Sequence, residues 1–222
     1  MQFLEHKLLA IIQARTNSRR FRNKVLFPIY GVPIIQYVVT RVKASKNVKK
    51  VIVSSSINKS DDKLIRYLKD KKINFYRGDL QNVALRLYKT AQKNKSKFFI
   101  RINGDSPLID THLIDNAIKI HNNSKKKFDL ITNVFPRTYP KGQSVEIIKV
   151  ALFKKHIKKF SALEKEHVTM YFYNNSRNFN IKNFAFKGNK KIMNLSIDTK
   201  IDLKRILKNF TKKTLKTFSL SK

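Results

Sequence analysis

Leu8-Leu-Ala-Ile-Ile-Gln-Ala-Arg-Thr-Asn-Ser-Arg-Arg-Phe-Arg-Asn-Lys24-Val-Leu-Phe-Pro28-Ile-Tyr-Gly31-Val-Pro33-Ile-Ile-Gln-Tyr-Val-Val-Thr-Arg-Val-Lys-Ala44 contains one strand, one polar loop and one helix in succession. Leu8–Gln13 is a short apolar run, as expected of a strand buried on both faces. From Pro33 to Ala44 apolar residues recur at three- and four-residue spacing, the pattern of an amphipathic helix, and Pro33 suits its first turn. The same unit repeats downstream. Val51–Ser54, Ile73–Tyr76, Phe98–Ile102 and Leu130–Thr132 read as further strands, and Asp61–Lys69, Leu80–Asn94 and Asp110–His121 as the intervening helices. Ser60 is placed to cap the second helix, with Asp61 and Asp62 favourable beside its N-terminus. Such alternation predicts an α/β, Rossmann-like three-layer fold with a mostly parallel sheet.

The pattern changes after residue 133. Val134–Gln143 holds two Pro and one Gly and reads as a loop. A strand over Gln143–Val150, helices over Leu152–Phe160 and His167–Asn174, strands over Phe179–Phe186 and Ile192–Ile197, and a closing helix over Ile201–Phe210 are expected next. No boundary has linker composition and no internal repeat is present. The whole chain, residues 1–222, is therefore read as one domain carrying an inserted segment around 134–190.

Composition narrows the function classes. Lys and Arg number 49 against 14 Asp and Glu, a formal net charge of +35, and hydrophobic residues make up 41%. That fraction supports a core and excludes a wholly disordered chain. There is no Cys, which excludes a disulfide scaffold, a thiolate metal site and a Cys nucleophile. The apolar run at 8–12 is shorter than a secretory signal and stops at Gln13 and Arg15. No stretch approaches the roughly 20 apolar residues that span a bilayer. A cytoplasmic protein without membrane attachment is expected. The charge points to a polyanionic partner. A nucleic-acid-binding protein is one such reading, but the basic residues are spread along the chain and no nucleic-acid-binding motif stands out, so no specific nucleic-acid partner is expected.

In open α/β sheets ligands bind beyond the C-terminal strand ends. The first such loop carries Arg15, Arg19, Arg20, Arg22 and Lys24 within ten positions. It lacks the spaced Gly of a P-loop and of a dinucleotide turn. Composition alone leaves a solvated basic loop and a phosphate-holding loop equally open. Two acidic sites follow the same logic. Phe98-Phe-Ile-Arg-Ile-Asn-Gly-Asp-Ser-Pro-Leu-Ile-Asp110 is a strand, a turn and a helix start, with Asp105 at the strand end and Asp110 as a helix cap. Leu195-Ser-Ile-Asp198-Thr-Lys-Ile-Asp202 again ends in Asp before a helix, with Asp202 as an N-terminal charge.

Ile11-Ile-Gln-Ala-Arg-x-x-Ser-x-Arg20-x-x-x-Lys24-Val-Leu, followed by Pro28 and Gly31-x-Pro33, resembles the nucleotide loop of the cytidylyltransferases that activate acidic sugars as CMP-sugars, most closely the branch of the spore-coat polysaccharide protein SpsF. The resemblance runs from Ile11 to about Leu207. Asn103-Gly-Asp-Ser-Pro-Leu-Ile resembles the family's metal motif, and Ile197-Asp-Thr its second metal-ligand stretch. Phe75-Tyr-Arg-Gly-Asp-Leu-Gln-Asn-Val-Ala-Leu-Arg86 resembles its base-side stretch. Tyr139-Pro-Lys-Gly-Gln-Ser-Val-Glu146 resembles Tyr-Pro-x-Gly-x-Asp-Val-Glu, and Glu166-His-Val-Thr169 the family's Glu-His-Val-Thr.

The resemblance implies a Mg²⁺-dependent transfer of CMP from CTP to an acidic sugar of the sialic-acid or 3-deoxy-manno-octulosonate type, for cell-surface polysaccharide or lipopolysaccharide synthesis, and admits a homodimer. It assigns catalysis to Arg15, Arg20, Lys24 and Asp105, and nucleotide binding to Ala14, Arg15, Ser18, Arg20, Lys24, Arg77, Gly78 and Asn103. Sugar binding falls to Arg101, Tyr139, Gln143, Glu146 and His167, and Mg²⁺ to Asp105 and Asp198. Arg101 and Lys141 are both able to meet a sugar carboxylate. Asp105→Asn is expected to nearly abolish CMP-sugar formation in a folded protein. The chain departs from the family at Arg22 and Asn23, where Pro-Gly is usual, at Asn17, where Gly is frequent, at Asn82, at Ser144, where the motif has Asp, and at Lys200-Ile201. Asn17 and Asn23 tolerate a left-handed backbone. Arg22 adds a charge near the phosphates or marks a loop whose role has changed. These departures motivate an alternative, a homologue that binds nucleotide without turnover.

Overall fold

The computed structural model describes residues 7–186 and 193–220. In chain order its elements are β1 (Leu8–Gln13), β2 (Pro28–Ile29), β3 (Val32–Pro33), α1 (Ile34–Lys43), β4 (Val48–Ser56), α2 (Asp62–Asp70), β5 (Phe75–Gly78), α3 (Val83–Lys93) and β6 (Phe98–Asn103). There follow α4 (Thr111–Asn123), β7 (Leu130–Thr132), β8 (Glu146–Lys149), α5 (Val150–His156), α6 (Ala162–Glu166), α7 (Met170–Asn174), β9 (Ile181–Asn183), α8 (Lys200–Asn209) and α9 (Lys212–Thr217).

A seven-stranded sheet runs in the order β5-β4-β1-β6-β8-β7-β9. β4 and β6 flank β1 in parallel, β5 extends β4 in parallel, and only β8 runs antiparallel to its neighbours. The mostly parallel α/β fold expected from the alternation is the one observed. The strands are continuous apolar runs because both faces are covered. Ala10, Ile12, Val51, Val53, Ile100 and Ile102 pack on one side, with α1, α2 and α4. Leu9, Ile11, Ile52 and Phe99 pack on the other, with α3, α5 and α7. A third cluster seals α8 and α9 against the first loop and the small β2–β3 hairpin through Phe21, Ile29, Ile34, Leu195, Ile197 and Ile206. The sheet order reverses at β1, so the crevice beyond the C-terminal ends of β1 and β6 is its switch point.

Several local expectations are corrected. α3 starts at Val83, because Asn82 caps it by accepting from the Leu85 amide and Asp79 accepts from the amides of Gln81 and Asn82. Ser60 caps nothing; its carbonyl accepts the Thr16 hydroxyl, and Asn58 accepts from the Ser60 amide. The strand expected over Phe179–Phe186 is only Ile181–Asn183, and the helix over His167–Asn174 begins at Met170. Of the strand expected over Ile192–Ile197, Ile192 lies outside the described residues and 193–197 pairs with no named strand. That segment is instead pinned by single bonds, Leu195 N to Lys141 O (2.8 Å) and Ile197 N to Asp105 O (3.0 Å). Gly142 permits this approach. It has φ +93°, and a Cβ there would stand 2.5 Å from the Leu195 carbonyl carbon. β2, β3, α6 and α9 carry too few residues for a periodic signal in the sequence.

Candidate active site

The switch-point crevice is a cavity of about 790 Å³. Gly104 closes its floor by letting the ends of β1 and β6 touch. Its amide donates to Gln13 O (2.9 Å), and a Cβ would fall 2.9 Å from both Gln13 O and Ala14 Cβ. The first loop leaves β1 there and is held from below by Asp61, which is fully buried. Asp61 Oδ1 accepts from the Thr16 amide (2.6 Å) and hydroxyl (2.7 Å), and Oδ2 from the Ser56 amide (3.0 Å), the Ser56 hydroxyl (2.5 Å) and the Ser55 hydroxyl (3.0 Å). Burial alone would raise the carboxyl pKa, but these bonds outweigh it and hold it below the ordinary carboxylate value. Asn23 turns the loop back with φ 56°, the left-handed conformation its side chain tolerates, and the turn delivers Lys24 to the cavity.

Lys24 is buried, and its Nζ donates to Asp105 Oδ2 and to Asp198 Oδ1, both at 2.7 Å. Two carboxylates separated by 93 positions in sequence (198 − 105) thus converge on one cation. The Ile197–Asp105 backbone bond fixes their spacing. Burial works against the ammonium charge, yet the two carboxylates more than compensate and raise the Lys24 pKa above its usual value. Arg20 reaches Asp198 from the rim at 3.3 Å, and Arg15 pairs with Glu166 at 2.7 Å across the mouth. Six cationic side chains line the cavity (Arg15, Arg19, Arg20, Lys24, Arg86 and Arg101) against three carboxylates (Asp105, Glu166 and Asp198). The excess favours a polyanion such as a triphosphate.

Ala14, Arg15, Ser18, Arg20, Lys24, Arg101, Asn103, Asp105, His167 and Asp198 line this one crevice. Five other candidates do not line it. The Arg77 side chain turns to α2 and donates to Ser56 O, Asn58 O and Asp62 Oδ1, and Gly78 is likewise absent from the wall. Gln143 is fully buried beneath the site, where its side chain accepts from the Asp110 amide and donates to Leu108 O. Tyr139 packs on Phe184 and Phe186. Glu146 borders a smaller adjoining cavity of about 350 Å³, which shares Arg101, Asn103 and His167 with the larger one. There it is 1% exposed, ion-paired with Arg101 and hydrogen-bonded by the Tyr173 hydroxyl at 2.5 Å.

Asp61 and Glu166 are not among the residues that the resemblance assigns to the site, and Arg86 enters there only as the end of the base-side stretch. Arg86 takes the place expected of Arg77. It is 2% exposed, lines the cavity, and donates to Asp79 O (2.6 Å), while its burial depresses the guanidinium to about 10. Arg22 turns away from the crevice, into a shallow surface cavity with Lys59, Lys63 and Arg66. Asp110 is the helix cap expected, accepting from the His112 amide, and Asp202, expected as an N-terminal charge, lies in the first turn of α8 and closes a capping box with Thr199.

The comparisons with known proteins agree with this geometry. The family model described as Cytidylyltransferase matches residues 9–219. The spore coat polysaccharide biosynthesis protein SpsF of Bacillus subtilis is 29% identical over 90% of this chain and 84% of its own. The 3-deoxy-manno-octulosonate cytidylyltransferase of Bdellovibrio bacteriovorus is 27% identical over 81% of this chain and 77% of its own. A solved cytidylyltransferase from Leptospira borgpetersenii superposes with a TM-score of 0.87 at 27% identity, over 96% of this chain and 90% of that one. No helix among the described residues is long and apolar enough to cross a membrane. With its cation-rich first loop, the carboxylates of Asp105 and Asp198 brought together beside it, a mostly parallel sheet and a family match over residues 9–219, this chain belongs to the cytidylyltransferase family.

Proposed function

We propose that the protein transfers CMP from CTP to an acidic sugar and releases pyrophosphate, supplying an activated sugar for cell-surface polysaccharide. The observation that carries this reading is the convergence of Asp105 and Asp198 on Lys24, beside a cation-rich loop at the switch point. The relatives' names support it: one is a polysaccharide biosynthesis protein, another a cytidylyltransferase for 3-deoxy-manno-octulosonate.

The roles follow from placement. Arg15, Arg20 and Lys24 bind the triphosphate and stabilise the leaving pyrophosphate. Arg86 reinforces them from α3. The Asn103 side-chain oxygen is buried with no hydrogen-bond partner among the described residues, and Asn103 lines the cavity, so it calls for a ligand donor such as a ribose hydroxyl or the cytosine amino group. The sugar enters from the adjoining cavity, where Arg101, Glu146 and His167 form the shared wall. Its hydroxyl attacks the α-phosphorus in line; the new O–P bond forms as the α–β phosphoanhydride breaks, and the hydroxyl proton is released. Such a displacement gains most from positioning and charge neutralisation.

Asp105 and Asp198 fit a divalent ion, since they already hold one cationic group between them. Two carboxylates suit Mg²⁺, an ion that takes one or two carboxylates and fills its shell with phosphate oxygens and water. Bound there, it would neutralise phosphate charge and polarise the α-phosphate. Pyrophosphate release, measured with CTP, Mg²⁺ and a panel of acidic sugars, tests the reading. Release that requires both CTP and an acidic sugar supports it. CTP binding without release identifies a homologue that binds but does not turn over.

A further inference from the structure

The first loop has an outer face as well as the one turned to the crevice. On that outer side a cavity of about 450 Å³ gathers four cations, Arg22 from the loop and Lys59, Lys63 and Arg66 from the start of α2, around one carboxylate, Asp62. The carboxylate is already taken, since its Oδ1 accepts from Arg77 Nη2 at 2.7 Å. None of the four cations joins an ion pair among the described residues, and all four are exposed. Lys63 and Arg66 stand three positions apart on α2, a spacing at which like charges on a helix are neighbours and repel. Arg22 comes from a distant part of the chain and stands where the related motif usually has Pro, so it is this chain's own addition to the cluster. The two walls are joined: the Thr16 hydroxyl donates to Ser60 O and the Thr16 amide to Asp61 Oδ1, at 2.7 and 2.6 Å.

We infer that this outer cavity is a second anion site, distinct from the nucleotide crevice, which takes a compact phosphate-bearing anion such as pyrophosphate or a phosphomonoester. The inference goes beyond the proposed function and does not depend on turnover. An anion there supplies the counter-charge that the protein itself withholds from four clustered cations. Arg22 and Arg66 offer planar donors for a two-point contact with phosphate oxygens, and Lys59 and Lys63 add point charges. Every side chain in the wall is polar or charged, which suits a small hydrophilic ligand. No aromatic ring is present for a base to stack on, which favours a small anion over single-stranded nucleic acid. The outer cavity and the crevice share only Asn17, so both can be filled at once. A bound anion ties Arg22 to α2 behind the loop that carries Arg15, Arg20 and Lys24.

Titration of the full chain with pyrophosphate and with glucose 6-phosphate, without Mg²⁺ and at constant ionic strength, tests the site. The side-chain Nε–H NMR signals of Arg22 and Arg66 report on the outer cavity, and those of Arg15 and Arg20 on the crevice. The Arg22 and Arg66 signals should saturate together with one Kd. Arg22→Gln should raise that Kd about fivefold, the upper end for losing one exposed ion pair, read at Arg66. The double variant Lys63→Gln, Arg66→Gln should raise it further, read at Arg22, and in both variants the crevice signals should titrate as in the wild type. The ligand with the lower Kd distinguishes the product of the reaction from a phosphorylated metabolite. Melting temperatures should hold or rise, because each substitution removes a like-charge neighbour. Shifts at Arg22 and Arg66 that do not saturate, or that sodium chloride reproduces, overturn the inference. So does a short single-stranded oligonucleotide that moves these two signals at lower concentration than either small anion.

Discussion

Asp61→Asn is the perturbation that best exposes how the first loop is held. The side chain is buried without exposure and accepts five hydrogen bonds, two from Thr16 and three from the Ser55–Ser56 strand end. The amide variant keeps the shape. Its carbonyl can still serve Thr16, and the Ser55 and Ser56 hydroxyls can rotate to accept from its NH₂. The Ser56 amide cannot, since it is a fixed donor facing a new donor. A buried donor left without an acceptor costs about 1–3 kcal/mol. The remaining bonds also lose their charge assistance, a loss partly offset because a charge no longer has to be buried. The expected destabilisation is about 3 kcal/mol, a large part of the roughly 5–15 kcal/mol that holds a typical domain together.

Urea unfolding at neutral pH measures it. The pH dependence gives a second reading. The folded pKa lies below the unfolded value, so this stabilisation is fully present above about pH 4 and is lost as pH falls through the depressed folded pKa. The gap between wild type and variant should therefore close in acid. A variant within about 0.5 kcal/mol of wild type, the range typical of a neutral surface substitution, would refute the claim that Asp61 anchors the loop. A gap independent of pH would refute the claim that it does so as a charged group.

Two further substitutions probe the frame around the site. Gly104→Ala places a methyl 2.9 Å from Gln13 O and Ala14 Cβ, and backbone on both sides has little room to yield. A loss of about 1–3 kcal/mol and weakened CTP affinity are expected, read by thermal unfolding and by calorimetric titration with CTP. Arg41 is buried and donates to the carbonyls of Ile109, Leu215 and Phe218, tying α9 to α1. Arg41→Met leaves those acceptors without a donor and should cost about 3 kcal/mol, with hydrogen exchange accelerating in 211–220 before anywhere else. Unchanged exchange there would contradict the role given to Arg41.

The parts of this structure legible in the sequence are those where one physical demand dominates. β1, β4 and β6 had to be buried on both faces, and Leu8–Gln13 and Phe98–Ile102 show it as unbroken apolar runs. Asp110 and Asp202 stand where helix amides need acceptors. Asn23 bends the loop as its side chain allows. The misses come from choices made between elements distant in the chain. Asp61 and Asp62 are neighbours of identical composition, yet Asp61 is fully buried under Thr16 while Asp62 pairs with Arg77. No spacing separates them. Arg77 and Arg86 are both plausible nucleotide contacts by residue type, and only the packing of α2 beside β5 decides that Arg77 is spent on Asp62. Gln143 reads as a polar ligand contact but satisfies the buried turn at Leu108–Asp110, a demand created by the antiparallel entry of β8.

On the proposed function, the Asp105–Lys24–Asp198 cluster is a site of nucleotidyl transfer rather than of nucleotide binding alone. Phosphorus NMR of the protein with CTP, Mg²⁺ and the acidic-sugar panel tests it directly, because the product phosphodiester and free pyrophosphate give separate signals. The wild type should accumulate both in equal amounts, and folded Asp105→Asn should produce neither above background. Equal product from Asp105→Asn, or CTP left intact by a wild type that binds it, would contradict the claim.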